Sequence, residues 1–266
     1  TLADDITNKV QIKFVLTAWS GPNQDYISQS IPITIEVTNA IIFTEYITED
    51  TIFDDDKEYI FQNSMVIANG ATLTINAGTI IRMSSLAKII ICPTCSIFSN
   101  GTAENPVTIT GVSGPGVSEG YVYWGGITIE SNNDTYGQIG FNTQNNSFTA
   151  SYGNNTEYLS SLDEIPNSIA YQRAKFFFTN FEYITAVGTS NMIFQGGFLA
   201  QDCIFRHFYH NQFQAFASGR GNTGFPGIIY FISSVIKYGT FYGFSSLAFL
   251  DDPISSGDLL FRNSNF

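Results

Sequence analysis

The stretch Asn69-Gly70-Ala71-Thr72-Leu73-Thr74-Ile75-Asn76-Ala77-Gly78-Thr79-Ile80-Ile81 decides how this chain folds. Leu73 and Ile75 alternate with threonines, which is the period-two pattern of a short, half-buried strand. The residues 76–78 then supply a turn, and a second strand begins directly after it.

The same alternation of short strands and tight turns continues toward the C-terminus. Strand-like runs occur at residues 88–91, 96–98, 107–110 and 127–130. Strands this short lack the long hairpin partners of a β-sandwich. A solenoid accommodates them, because each coil lays its strands in parallel on the coil below and buries its inward side chains in one continuous stack. The sequence therefore predicts an all-β solenoid.

Six segments of this region resemble secreted bacterial proteins with a right-handed parallel β-helix of the pectate-lyase-like type. They are Ile47-Thr48-Glu49-Asp50-Thr51, Tyr59-Ile60-Phe61, Gly70-Ala71-Thr72-Leu73-Thr74-Ile75, Ala77-Gly78-Thr79, Gly101-Thr102-Ala103-Glu104-Asn105-Pro106-Val107 and Trp124-Gly125-Gly126-Ile127, in the order seen in that family. The resemblance implies a right-handed parallel β-helix in a secreted surface protein. It implies less about activity, because this architecture carries lyases, hydrolases, adhesins and phage spikes alike.

Composition agrees with a secreted β protein. The 266 residues are 44% hydrophobic and 13% charged, with a net charge of −12. Nucleic acid is therefore excluded as a partner, because little in the chain neutralises phosphates. No apolar run approaches the roughly 20 residues of a membrane span. Because the chain begins at Thr1 without a signal peptide, we expect a processed extracellular or cell-surface protein, or a fragment of a longer one.

Residues 1–40 differ from the solenoid at 41–266. They contain two long strands with period two, whose apolar positions include Val10, Ile12, Phe14, Leu16, Ile33 and Ile35. Two strands do not form an independent domain. Two roles remain open: a cap packed on the solenoid, or strands donated to the sheet of a neighbouring subunit.

Residues from about 132 to 170 are rich in Asn, Ser, Thr and Gly and show little hydrophobic period, so we expect a long loop that leaves the coil. Glycosylation acceptor triplets begin at Asn133, Asn145 and Asn154, and a fourth begins at Asn100. Modification depends on a secretory route that attaches sugars. A chain this rich in Asn, Ser and Thr also produces such triplets by chance.

The three cysteines bear on the compartment of the protein. Cys92-Pro93-Thr94-Cys95 spans a tight turn, whose end Cα atoms lie within about 7 Å and hence near disulfide reach. We predict a disulfide between Cys92 and Cys95, with half of a zinc site as the alternative. Cys203 is then expected to be unpaired and buried.

The later coils are predicted from repeated spacing. Tyr183, Phe205, Ile236 and Phe266 follow similar small or polar segments and are expected to form one inward ladder along the solenoid axis.

Catalytic chemistry is sparsely represented. The only acidic pair on a late coil is Asp251-Asp252, for which a turn before Pro253 is the simpler interpretation. The acidic run 54–56 lacks the spaced oxygen ligands of a calcium loop, which favours a solvated turn. His207 and His210 bind a metal only if a turn brings them to the same side. We therefore predict no cofactor, no metal and no enzymatic activity.

The C-terminal run of residues 259–266 reads as one further coil without a polar cap. Either the sequence is a fragment, or the next molecule covers this end. A head-to-tail contact of that kind is heterologous and yields a filament if it does not close into a ring. We therefore expect an extracellular structural subunit of a cell-surface filament or adhesive stalk, a homopolymer with Phe261 and Phe266 among its assembly residues. The alternative is a carbohydrate-active enzyme or sugar-binding module whose partner is a polysaccharide.

Overall fold

The computed structural model describes residues 10–20, 26–37, 40–44, 46–112, 122–132, 137–142, 147–152, 154–185, 192–195, 197–214, 216–218, 224–226, 228–245 and 258–262. Its strands, in chain order, are β1 (Val10–Ser20), β2 (Tyr26–Val37), β3 (Ala40–Phe43), β4 (Thr51–Phe53), β5 (Glu58–Phe61), β6 (Met65–Ile67), β7 (Thr72–Asn76), β8 (Ile80–Met83), β9 (Ile89–Ile91), β10 (Ser96–Asn100), β11 (Val107–Gly111), β12 (Ile127–Ile129), β13 (Gly137–Asn142), β14 (Ser147–Tyr152), β15 (Asn155–Leu159), β16 (Ala174–Phe177), β17 (Thr179–Thr185), β18 (Met192–Gln195), β19 (Phe198–Gln201), β20 (Ile204–Gln214), β21 (Phe216–Ser218), β22 (Gly224–Pro226), β23 (Ile228–Ile232), β24 (Val235–Ser245) and β25 (Asp258–Arg262). Two 3-10 helices span Leu162–Asn167 and Ile169–Tyr171. No helix in the described ranges is long and apolar enough to cross a membrane.

From β3 onward the chain winds through three parallel faces. Face 1 contains β4, β7, β10, β16, β19, β23 and β25, in spatial order. Face 2 contains β3, β5, β8, β11, β17 and the first halves of β20 and β24, whereas face 3 contains β6, β9, β12, β18 and the second halves of β20 and β24. All strand pairs within these faces are parallel. The predicted all-β fold, a parallel β-helix, is therefore confirmed.

The core lies inside the coils and follows the period-two pattern of the sequence. On β7, Leu73 and Ile75 are fully buried and pair in register with Ile97 and Ser99 of the next coil. Each such large aliphatic side chain contributes about 1.5–3 kcal/mol through burial. Because the coils are aligned, these contributions add along one continuous column.

The predicted ladder of late coils is wrong at its first member. Phe181, not Tyr183, is in register with Phe205, and their rings stack at 4.7 Å between centroids. Asn180 pairs with Ile204 and Phe181 with Phe205, so the repeat begins two residues earlier than the sequence spacing predicted. The pairing of Phe205 with Ile236 is confirmed, and Phe266 lies outside the described residues.

In the later coils, face 1 turns into face 2 at one residue in the left-handed conformation. These residues are Phe178, Asp202 and Ser233, with φ of 42°, 54° and 49°. The residues that follow them, Thr179, Cys203 and Ser234, are completely buried. Each directs its side-chain donor to the carbonyl two residues earlier, at 3.0, 3.4 and 3.1 Å. Each of these carbonyls also accepts a backbone N–H, from Gly101, Phe178 and Asp202 respectively, so the side-chain contact is a second hydrogen bond at the corner.

The residues predicted as a long loop at about 132–170 are not a simple loop. Strands β13, β14 and β15 form an antiparallel sheet, followed by the two 3-10 helices. Ala150, Leu159 and Ile165 are buried together with Leu199 and Ile232 of face 1. The polar composition hid this sheet, because only one side of it is apolar. That side covers the outer surface of face 1.

Gly101 lies at a corner where the backbones of two neighbouring coils approach each other closely. A Cβ at this position would lie 2.3 Å from the carbonyl oxygen of Phe178 and 2.8 Å from that of Phe177. Because both neighbours are backbone atoms, we expect Gly101→Ala to lower the free energy of unfolding by about 1–3 kcal/mol. The measurement is urea unfolding followed by circular dichroism, with Ala103→Ser at an exposed site of the same turn as control. Equal midpoints for the two variants would contradict the close backbone packing at this corner.

Candidate functional site

The first coil of the β-helix exposes an apolar surface. Its members Ile41, Ile42, Tyr46 and Ile52 are 37%, 56%, 66% and 61% exposed. They are four of six large hydrophobic side chains that are exposed in the described part of the chain, the others being Leu86 and Tyr158. We call these four residues the first-coil patch. Exposed apolar side chains grouped on one coil are typical of an interaction surface.

The patch has two causes: Ile42 and Ile52 occupy outward positions, in register with Ile60 and Thr74, whereas Ile41 is exposed because the first coil has a described neighbour on one side only. Ile41 is in register with Tyr59 of β5 and then with Ile81 of β8, which are 4% and 0% exposed. Ile41 therefore occupies an inward position, yet remains exposed because no coil in the described ranges covers it. β3 and β4 end their sheets in the same way. Within the described residues no further strand pairs with their outer edges, and such edges are templates for pairing with another strand.

The opposite end of face 1 is β25, which pairs in parallel with β23. The predicted assembly residue Phe261 is in register with Phe231 on this strand. Its companion Phe266 lies outside the described residues. The two ends of face 1 are thus β4 and β25.

The N-terminal strands β1 and β2 form an antiparallel hairpin over their whole length. The register places Ile12 opposite Ile35 and Phe14 opposite Ile33, while Val10 and Leu16 pair with Val37 and Ile31. All six predicted assembly positions in this region therefore share one face of the hairpin. Whether the hairpin caps its own β-helix or joins a neighbour stays a prediction.

An acidic turn borders the first-coil patch. Asp54, Asp55 and Asp56 are all exposed, and Asp56 forms an ion pair with Lys57 at 3.2 Å. Asp54 accepts a hydrogen bond from Asn76 Nδ2 at 2.5 Å, and its backbone N–H donates to the Tyr59 hydroxyl at 2.9 Å. The turn is thus fixed by neighbouring coils. Within the described ranges, no three His, Cys, Asp or Glu residues are grouped so as to hold a metal ion.

Arg173 is buried where the insertion of residues 133–172 returns to the coil, and is 6% exposed. Its guanidinium donates to the Cys95 carbonyl at 2.9 Å, the Cys92 carbonyl at 2.8 Å and Ser131 Oγ at 3.2 Å. Burial lowers the pKa of Arg173, and the neighbouring Tyr152 opposes that shift. The side chain ties the returning chain to the turn of the coil below. Nothing in the sequence around Arg173 indicates this role.

The predicted disulfide between Cys92 and Cys95 is not formed, and both residues are thiols, as is Cys203. The turn is held instead by the Cys95 N–H, which donates to the Cys92 carbonyl at 3.1 Å, and by Arg173. Cys95 points into the core and is completely buried, whereas Cys92 is half-buried. The β-turn therefore brings the backbones together while the Cys95 side chain belongs to the inward stack.

The remaining predicted sites are scattered. Asn100 and Asn154 are exposed, as a glycan acceptor must be, whereas Asn133 and Asn145 lie outside the described residues. His207 stacks on Tyr183 with 4.9 Å between ring centroids, and the side chain of His210 is not described. Asp251 and Asp252 also lie outside the described residues. Glycosylation of the four asparagines stays a prediction.

Alkylation tests the state of the cysteines. Burial raises the pKa of the Cys203 thiol to about 12, so its thiolate scarcely forms at pH 8 and the thiol is also inaccessible. In the native protein we expect iodoacetamide to modify Cys92 and to spare Cys95 and Cys203. In denaturant without reductant, all three should be modified, as counted by mass spectrometry. A single modified cysteine under those conditions would instead indicate the Cys92–Cys95 bridge.

Comparison with known proteins places the coils described above in a family. Residues 45–175 match the family model of the pectate-lyase like beta helix domain. Neither the curated proteins nor the solved structures contain a match to this chain. The match spans the coils from β4 to β12 and continues through the insertion to Arg173 and the start of β16. Residues 45–175 of this chain therefore belong to the family of pectate-lyase-like β-helix domains.

Proposed function

We propose that this protein is an extracellular structural subunit that assembles head-to-tail through the ends of its β-helix into a cell-surface filament or adhesive stalk. The observation that carries the proposal is the first-coil patch, together with the edge strands β3 and β4 beside it. Ile41 occupies an inward-facing position yet remains 37% exposed. We therefore expect a partner to cover it. A second copy of the same chain supplies coils of the same width.

A contact between opposite ends joins different surfaces of the two copies. It is therefore heterologous, and repetition along one axis produces a filament. Extracellular placement is supported by the resemblance to secreted β-helix proteins and by the low content of charged residues, 13%. The exposed acceptor residues Asn100 and Asn154 are compatible with it.

A contact of this kind has to offset the cost of association. Full burial of one large apolar side chain contributes about 1.5–3 kcal/mol. The exposed fractions of the four patch residues amount to about two such side chains, so covering the patch supplies on the order of 3–7 kcal/mol. Association of two proteins costs an estimated 4–15 kcal/mol in lost freedom. The patch alone therefore gives a weak contact, and backbone hydrogen bonds between edge strands have to add to it. We expect assembly that depends on protein concentration.

Electron microscopy with a paired variant tests the proposal. The wild-type protein is expected to form filaments whose axial repeat is near the length of one subunit. Ile41→Asp combined with Ile52→Asp should abolish them, because a covering coil would bury the carboxylate at the inward position 41 and lie against the one at the outward position 52. Tyr158→Asp is the control, since Tyr158 is 83% exposed on the insertion. Circular dichroism verifies folding of each variant. Dispersed rods of wild-type protein at all concentrations, or filaments of the double variant, would contradict the proposal.

One observation favours the alternative, a sugar-binding module. The stacked rings of Tyr183 and His207 are half-buried, and Tyr123 meets Tyr183 edge-on at 5.9 Å between centroids. Glu182 and Arg206, which form an ion pair, lie beside them on face 2. Aromatic faces next to paired charges suit the apolar and polar sides of a sugar ring.

This alternative has a separate test. If the group binds polysaccharide, Tyr183→Ala should weaken the retention of the protein on insoluble polysaccharides at least tenfold, whereas Tyr158→Ala should leave it unchanged. Equal retention of the two variants would remove the alternative. Filament formation is scored in the same samples, so the two functions are judged independently.

A further inference from the structure

Two Asn-Gly pairs occur in this chain, Asn69-Gly70 and Asn100-Gly101. In such a pair the glycine nitrogen loses its proton, bonds to the side-chain amide carbon of the asparagine and displaces ammonia, which closes a succinimide ring. Water then opens the ring to aspartate, or to isoaspartate, whose main chain runs through the former side chain. Because the reaction needs only water, the local structure decides which of the two pairs reacts in the folded protein.

Asn69 and Gly70 are the central residues of an exposed turn between face 3 and face 1. The Ala71 N–H closes this turn by donating to the Ala68 carbonyl at 3.1 Å. Asn69 and Gly70 have φ of 59° and 78°, which are the left-handed values of a type I′ turn. Within the described part of the chain the Gly70 N–H makes no hydrogen bond. A Cβ built on Gly70 would meet, among the described residues, only Thr94 Oγ1, at 4.0 Å, so the space around the attacking nitrogen is open.

Reaction at Asn69 requires the turn to open, because the Gly70 nitrogen has to rotate toward the side-chain carbon. Opening breaks the hydrogen bond that closes the turn and leaves the stacked strands in place. The Ala68 N–H donates to the Ile47 carbonyl at 2.9 Å, and the Ala71 carbonyl accepts the Ser96 N–H at 3.1 Å. Both sides of the turn are thus fixed to neighbouring coils. Local openings of an exposed turn lie at the low end of the range of opening free energies.

At Asn100-Gly101 the attacking nitrogen is held between two coils. The Gly101 N–H donates to the Phe177 carbonyl of the next coil at 3.1 Å, and Gly101 is buried although Asn100 is exposed. A Cβ at Gly101 would already lie 2.3 Å from the Phe178 carbonyl oxygen, so the folded protein has no space for a succinimide ring here. Reaction at Asn100 therefore requires two coils to separate, which breaks strand pairing and costs far more free energy than opening a surface turn.

We propose that Asn69 is a site of spontaneous deamidation in the folded protein, whereas the contacts of Gly101 between coils protect Asn100. This inference is independent of the proposed function. Either product carries an additional negative charge, on a chain whose net charge is already −12. Isoaspartate also adds a carbon atom to the main chain of a turn whose two sides are fixed. We therefore expect the modified protein to be less stable than the fresh protein.

Peptide mapping of the folded full-length chain tests the site. Protein produced without glycosylation is incubated at mildly alkaline pH, and mass spectrometry follows the conversion of each asparagine to aspartate and isoaspartate. We expect Asn69 to react about tenfold faster than Asn100 or more, because only the opening of a surface turn limits its reaction. In urea, where both pairs are unfolded, the two rates should become similar. Equal rates in the folded protein, or no conversion at Asn69, would overturn the proposal.

Two variants of Asn69 separate the effects of the modification on stability. Asn69→Gly removes the reacting amide and suits the left-handed backbone, so its urea midpoint should stay constant during the incubation while that of the wild type falls. Fresh Asn69→Asp has the charge of the product on a normal main chain and should match fresh wild type. An equal fall of the midpoint in Asn69→Gly and wild type would show that the loss arises elsewhere. A fresh Asn69→Asp as unstable as incubated wild type would contradict the role of the added carbon atom.

Discussion

The structure depends on one constraint: each coil must keep its inward side chains directly above those of the coil below. Leu73 above Ile97 and Phe181 above Phe205 show the same relation in early and late coils. Burial of each such side chain is worth about 1.5–3 kcal/mol, and a slip of one residue would turn a whole strand inside out. Parallel pairing, short strands and the placement of insertions all follow from keeping this register.

The corners between faces must preserve the register of the coils and also provide hydrogen bonds for the backbone. A coil that turns sharply leaves carbonyl groups inside the protein, where an unpaired one is costly. In the late coils these carbonyls accept backbone N–H groups of adjacent coils, and the small side chains of Thr179, Cys203 and Ser234 each add a second hydrogen bond to the carbonyl two residues earlier. At the corner where the long insertion returns, Arg173 takes the same part for the carbonyls of Cys92 and Cys95. One buried guanidinium thus bonds two backbone carbonyls at the corner where the insertion rejoins the coil.

The sequence predicted what depends on neighbouring residues. Alternation around Leu73 identifies the strands, and the family resemblance gives the parallel β-helix. What it did not predict depends on distant contacts. The two-residue offset at Tyr183 follows from the pairing of Phe181 with Phe205 of the next coil, which the local sequence does not specify. The sheet β13–β15 buries only one side, and it does so against Leu199 and Ile232 of coils formed later in the chain. The first-coil patch is equally invisible in sequence, since Ile41 and Ile52 resemble the buried isoleucines of other coils.

The left-handed residues Phe178, Asp202 and Ser233 have a further consequence. A single residue in this conformation leaves no space for extra chain between face 1 and face 2 in the late coils. The insertion ending at Arg173 and the hairpin of β21 and β22 both leave the coil after face 3 instead. In the late coils the corner between face 1 and face 2 therefore has a fixed chain length. The loops between face 3 and face 1, in contrast, can lengthen without disturbing the stack. Among related chains, variation in length is expected to accumulate in the loops between face 3 and face 1.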